Sequence, residues 1–115
     1  MIQVVNRHKH KPTPNDIYIG RGTPLGNPWS WHPAVEPKFR VADRAAAIFK
    51  YSQYAEWARL NRPEFANFFN VLFNRVLNGE TIYLVCSYKP KGCHVDVIKR
   101  MIEERIVNFQ ENVQK

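Results

Sequence analysis

A chain of 115 residues, 44% hydrophobic and 23% charged, is long enough to bury one real core and too short for two. Its formal charge of +7 favours an anionic partner and leaves open whether that partner is a polymer or a small molecule. No apolar run approaches the ~20 residues that span a bilayer, and the start lacks a basic-then-apolar leader pattern, so a cytoplasmic protein without membrane contact is expected.

Ile2 to Val5 read as a short apolar strand that ends at Asn6. The basic run from Arg7 to Lys11 reads first as a solvated loop and second as an anion-attracting rim. Pro12, Pro14, Asn15 and Asp16 make a turn, and Ile17 to Ile19 form a second brief extended piece leading into Gly20, Arg21 and Gly22. From there to residue 37 the sequence is loop, long for a small domain and therefore functional or disordered. Trp29 and Trp31 argue for order, with core packing favoured over base stacking for both. Gly20, Gly22, Gly26 and Asn27 then supply special backbone geometry, and Arg21 is placed to reach an anion or to tie the loop down.

A helix is predicted from about Ala42 to Leu60, with Asp43 in its first turn and Ala45, Ile48, Tyr51, Ala55 and Ala58 on one face. Pro63 opens a second helix that Asn78 and Gly79 close. Its aromatic stripe reads as core or, over Phe65 to Leu77, as a homodimer surface. Thr81 to Cys86 show no polar alternation, the pattern of a strand covered on both faces and central in its sheet. Pro90 and Gly92 turn the chain, and a third helix starts near Cys93 with Val95, Ile98, Ile102, Ile106 and Phe109 as its apolar stripe. The tail from about residue 110 to 115 is polar and expected to fray. The expected fold is a single α/β domain over residues 1–115 in the order β-β-α-α-β-α.

The turn after the third strand carries the strongest chemical signal. A helix entered from a glycine-containing turn presents free N–H groups and partial positive charge, to which Lys89 and Lys91 add full charges, so phosphate or carboxylate is favoured there. His94 is the candidate acid/base group. Cys93 at the helix start is a candidate thiolate, although neighbouring positions on a helix diverge by about 100° and make Cys93 and His94 poor mutual partners. Asp96 suits the helix dipole in any protein and, beside a bound anion, would turn toward a ribose hydroxyl. Cys86 and Cys93 are expected as free thiols, nothing matches a zinc spacing, and no metal or cofactor is predicted.

In order along the chain stand Val4-Val5-Asn6, Tyr18-Ile19-Gly20-Arg21 and Gly26-Asn27-Pro28-Trp29, then Cys86, Pro90, Cys93, His94 and Asp96 in fixed register. These motifs resemble the domain of unknown function 4326 family, common in tailed phages and bacteria, with Tyr88 where the family pattern has a middle cysteine. The resemblance covers the two ends of the chain rather than its helical middle. It implies a compact Rossmann-like fold with the motifs gathered in one pocket, and a bacterial or phage-encoded setting.

Together these readings give an expected ligand-binding set of Asn6, Gly20, Arg21, Asn27, Lys89, Lys91 and Gly92, with Cys93, His94 and Asp96 as the catalytic candidates. The expected function is binding of a phosphorylated nucleoside, nucleotide or nucleotide-sugar between the Gly20 to Trp29 loop and the helix starting at Cys93, with hydrolysis or transfer as the chemistry that could follow. Two alternatives stay open, a basic nucleic-acid-binding module and a non-catalytic phage trap for a host signalling nucleotide.

Overall fold

The computed structural model describes residues 1–20, 22–86 and 92–114. Arg21, Lys89 and Lys91, three of the expected ligand contacts, lie outside the described residues. In chain order the elements are β1 (Ile2–Asn6), β2 (Asp16–Tyr18), a short 3-10 turn (Pro37–Phe39), α1 (Arg44–Asn61), α2 (Pro63–Leu77), β3 (Ile82–Cys86) and α3 (His94–Gln114).

The last strand inserts between the first two. The sheet order is β1-β3-β2 with both pairings parallel, so β3 is central. The register pairs Asn6 with Cys86 and Tyr18 with Val85, which brings all three carboxyl ends to one edge within a residue of each other. Every connection must therefore return across the sheet, and the helices do so between β2 and β3.

The two faces of β3 are unequal. Ile82, Leu84 and Cys86 are buried, whereas Tyr83 and Val85 are only half-buried. The unbroken apolar run had indicated cover on both sides; instead the helical layer packs on one face. On the other, the excursion from β1 to β2 lays His10 against Tyr83, ring centres 5.1 Å apart, and anchors it on Asp16 at 3.0 Å. Polar cover of that kind leaves the odd-numbered residues partly wet.

Asp43 is the N-cap of α1, its carboxylate accepting from the Ala46 N–H at 2.8 Å. The helix buries Ala47, Tyr51, Ala55 and Ala58, so the inward stripe enters at Ala47 and leaves Ala45 exposed. Arg62 joins α1 to α2 in extended conformation, and Pro63 follows at a position where its missing N–H costs nothing. Phe65, Phe69, Leu72 and Phe73 of α2 are all buried in the domain's own core, which leaves Val71 as the exposed large apolar residue of that helix. Gly79, at φ 92°, closes α2 in the left-handed region, with Glu80 N–H bonded to the Arg75 carbonyl.

Val95, Val97, Ile98, Met101 and Ile102 of α3 complete the core. This helix runs on to Gln114, into the tail expected to fray. Lys99 to Glu103 and Arg100 to Glu104, four apart at 3.5 and 3.7 Å, support its exposed side by a few tenths of a kcal/mol each. Among the described residues no helix is long and apolar enough to cross a membrane.

Candidate functional site

Open α/β sheets bind ligands beyond the carboxyl ends of their strands. Here a hollow of about 210 Å³ lies at that edge. Val85, Cys86 and Cys93 contribute from the end of β3 and the start of α3, Tyr18 and Gly20 from the end of β2. Trp31, Arg44, Ala47 and Ile48 close it from the long loop and α1.

The loop that borders this hollow is tightly wound. Thr23 donates to the Gly20 carbonyl twice, from its N–H at 3.2 Å and its hydroxyl at 2.7 Å, and the Gly26 N–H donates to the Thr23 carbonyl at 3.0 Å. Two glycines meet at the crossing: a Cβ on Gly26 would lie 2.5 Å from the Gly20 carbonyl oxygen, and one on Gly20 would overlap the phenol of Tyr18. Glycine is therefore required at Gly26 for space, since backbone is in the way, whereas at Gly20 the neighbour is the end of the exposed Tyr18 side chain, which can swing aside.

Three side-chain hydrogen bonds tie this loop to the helices. His94 Nε2 donates to the Ile19 carbonyl at 2.7 Å, the Tyr51 hydroxyl donates to the Leu25 carbonyl at 2.5 Å, and Asn27 Nδ2 donates to the Ala47 carbonyl at 3.3 Å. The first joins residues 75 apart in sequence, so the glycine loop and the start of α3 do converge.

Of the expected catalytic residues, Cys93 and His94 line the hollow. A carbonyl only accepts, so His94 Nε2 carries the proton in its bond to the Ile19 carbonyl. The edge of the Tyr51 ring fixes the imidazole plane, centroids 5.0 Å apart. Burial, reinforced by Tyr54, holds the Tyr51 hydroxyl protonated well above the ordinary phenol range. Asp96 turns back to accept from the Cys93 N–H at 3.2 Å, the reciprocal half of a capping box, and is not among the residues lining the hollow. Cys93 is buried, and its hydrogen bond with Cys86 together with burial pushes its thiol up, which opposes the thiolate expected at the helix start.

Of the expected binding residues, Gly20, Asn27 and Gly92 line the hollow. Asn27 is committed to the scaffold, since its carbonyl oxygen also accepts from the Trp29 N–H at 2.9 Å. Asn6 ends β1 and accepts from the His8 N–H at 2.8 Å, outside the lining. Among the described residues no group of three or more His, Cys, Asp or Glu side chains is placed to hold a metal ion.

A family of domains of unknown function, DUF4326, has a sequence model that matches residues 3–104. The chain belongs to that family. The match runs through the helical middle as well as both ends, and so takes in every element that borders the hollow. No curated protein and no solved structure matches the chain.

Within the family's span, Arg44 is a lining residue that sequence reasoning passed over, and Trp31 one for which it favoured core packing over base stacking. The Arg44 guanidinium sits 5.1 Å from the Trp31 ring centre, a cation–π stack at the rim of the hollow. Trp31 remains 38% exposed there, unlike Trp29, which is packed edge-on between Phe39 at 5.8 Å and Tyr54 at 5.6 Å. One signal for Arg44 was present in the sequence. It is the first residue of α1, where the helix dipole disfavours a cation, and such a placement calls for a reason outside the helix.

Proposed function

We propose that this domain binds a small phosphorylated nucleoside at the carboxyl edge of its sheet, as a reduced Rossmann-like nucleotide-binding fold. The observation that carries the reading is the pairing of Arg44 with Trp31 in the same hollow as His94. Tyr18, Trp29 and Trp31 offer aromatic surface to a base, Arg44 offers a fixed charge to a phosphate, and Ser30 and His94 add polar atoms. At about 210 Å³ the hollow is smaller than the ~300–1,000 Å³ of sites that take drug-sized ligands. It suits one ring system with its phosphate at the rim.

Arg44 is a better phosphate partner than the start of α3. The carboxylate of Asp96 already occupies the Cys93 N–H and places negative charge at that terminus, which offsets the attraction of the helix dipole. The same facts favour binding over turnover. Cys93 and His94 both border the hollow, but with Asp96 engaged in capping and the Cys93 thiol pushed up by Cys86 and burial, His94 is the member of the expected catalytic trio best suited to meet a ligand.

Isothermal titration calorimetry against the common nucleoside monophosphates and diphosphates tests this. Wild type should bind at least one of them, Arg44→Ala should weaken binding about tenfold or more, and Trp31→Ala should reduce it for every base. A folded wild type that binds none of the panel at millimolar concentration overturns the reading.

A further inference from the structure

A second hollow adjoins the first. It holds about 660 Å³ and is bordered by Gly22 and Thr23 of the loop together with Phe39, Tyr54, Arg62 and Glu64. The two share Asn27 and Trp29. The shared wall is firm: Asn27 is bonded on one side to α1 and on the other to the Trp29 backbone, and the indole is wedged between Phe39 and Tyr54.

The chemistry of the first hollow recurs on the far side of this partition. Arg44 with Trp31 stands on one side; on the other, Arg62 lines the hollow together with Phe39 and Tyr54, and Trp29 borders both. A ligand with one base and one phosphate uses only one of these two sets. A ligand with two nucleosides joined through phosphate groups uses both, its linker crossing the partition of Asn27 and Trp29 between one hollow that contains Arg44 and one that contains Arg62. Repeated aromatic and cationic groups along one path are what stacking recognition of successive bases requires.

The geometry points to a dinucleotide, two nucleosides linked through phosphates, as the ligand class of this domain, with Arg62 as a specificity-determining residue for the second half. This rests on the mononucleotide reading of the first hollow and narrows it. The linkage makes the second half's binding intramolecular, so affinity rises without any change in the first site.

The test compares the four nucleoside 5′-monophosphates with their symmetric 5′,5′-diphosphate-linked dinucleotides by calorimetry on wild type, Arg62→Ala and Arg44→Ala. Wild type should bind one dinucleotide per chain at least tenfold tighter than the matching monophosphate. Arg62→Ala should abolish that gain and leave monophosphate affinity within twofold of wild type. Equal affinities for the two ligand types, or an equal loss for both on Arg62→Ala, overturn the dinucleotide inference while the first site stands. Failure of both ligand types to bind overturns the underlying reading as well.

Discussion

Gly26→Ala is the sharpest perturbation of the frame that shapes the site. The added Cβ would lie 2.5 Å from the Gly20 carbonyl oxygen and 3.2 Å from that of Thr23, backbone on both sides. Cβ atoms do not approach an oxygen closer than about 3.0 Å, so the crossing must open by roughly 0.5 Å. The bonds that close it, 3.0 Å from Gly26 to Thr23 and 3.2 Å from Thr23 to Gly20, would then stretch beyond useful length. Loss of one or two such bonds, or the overpacking itself, costs about 2 kcal/mol. For a domain of this size that lowers the melting temperature by about 8 °C in scanning calorimetry.

Gly79 provides the contrast, since its φ is 92° and nothing lies within 4 Å of its added Cβ. There Ala costs about 1 kcal/mol through dihedral strain alone, and Asn, which tolerates that region, costs less than Ala. At Gly26 Asn should be no better than Ala. A Gly26→Ala protein that melts within about 1 °C of wild type, or an Asn that restores stability at position 26, would refute the crossing argument.

Three further outcomes are expected. Tyr51→Phe removes the buried hydroxyl that satisfies the Leu25 carbonyl and should cost about 1–2 kcal/mol, read as a fall in the urea midpoint. For Asp16, desolvation raises the carboxyl, but hydrogen bonds from Thr13 and the contact with His10 outweigh it and lower it below its ordinary value. A depressed folded value means this contribution is present above about pH 4 and lost as pH falls through the folded value, so Asp16→Asn should flatten the acid limb of urea midpoints measured from pH 2 to pH 6. Cys93 should alkylate with iodoacetamide at least about tenfold more slowly in native protein than in urea at pH 8, because burial and Cys86 keep it protonated; equal rates would show the thiol accessible.

The frame was legible where local chemistry is strong. An unbroken apolar run announced a central β3; Pro63 marked the start of α2, and Gly79 its end. What sequence could not reveal was which side of β3 the helices would take, because burial of Tyr83 and Val85 depends on how the excursion after β1 folds back. At the site, the convergence of the Gly20 loop with His94 followed from motifs in a common register. The division of labour did not. A first-turn acid reads alike whether it caps its helix or meets a ligand, and only the 3.2 Å bond to the Cys93 N–H assigns Asp96 to the cap. Arg44 was overlooked because periodicity assigns it to a helix and is silent about the loop tryptophan it stacks on.

The three ties between loop and helices also bear on affinity. His94 holds the loop at residue 19, Tyr51 at residue 25, and Asn27 reaches back to α1, so the segment is fixed at three points by two different helices. A loop of that length left slack would have to be ordered by its ligand, at a cost of about 0.5–1.5 kcal/mol for each immobilised flexible side chain. Held in advance, it would let the small ligand proposed above bind through few contacts. Under that proposal His94 would act on binding even without proton transfer: its Nε2–H positions the Ile19 carbonyl, and with it the Gly20 wall of the hollow. Conserving that N–H while changing the second ring nitrogen is what separates its positioning role from any acid/base role.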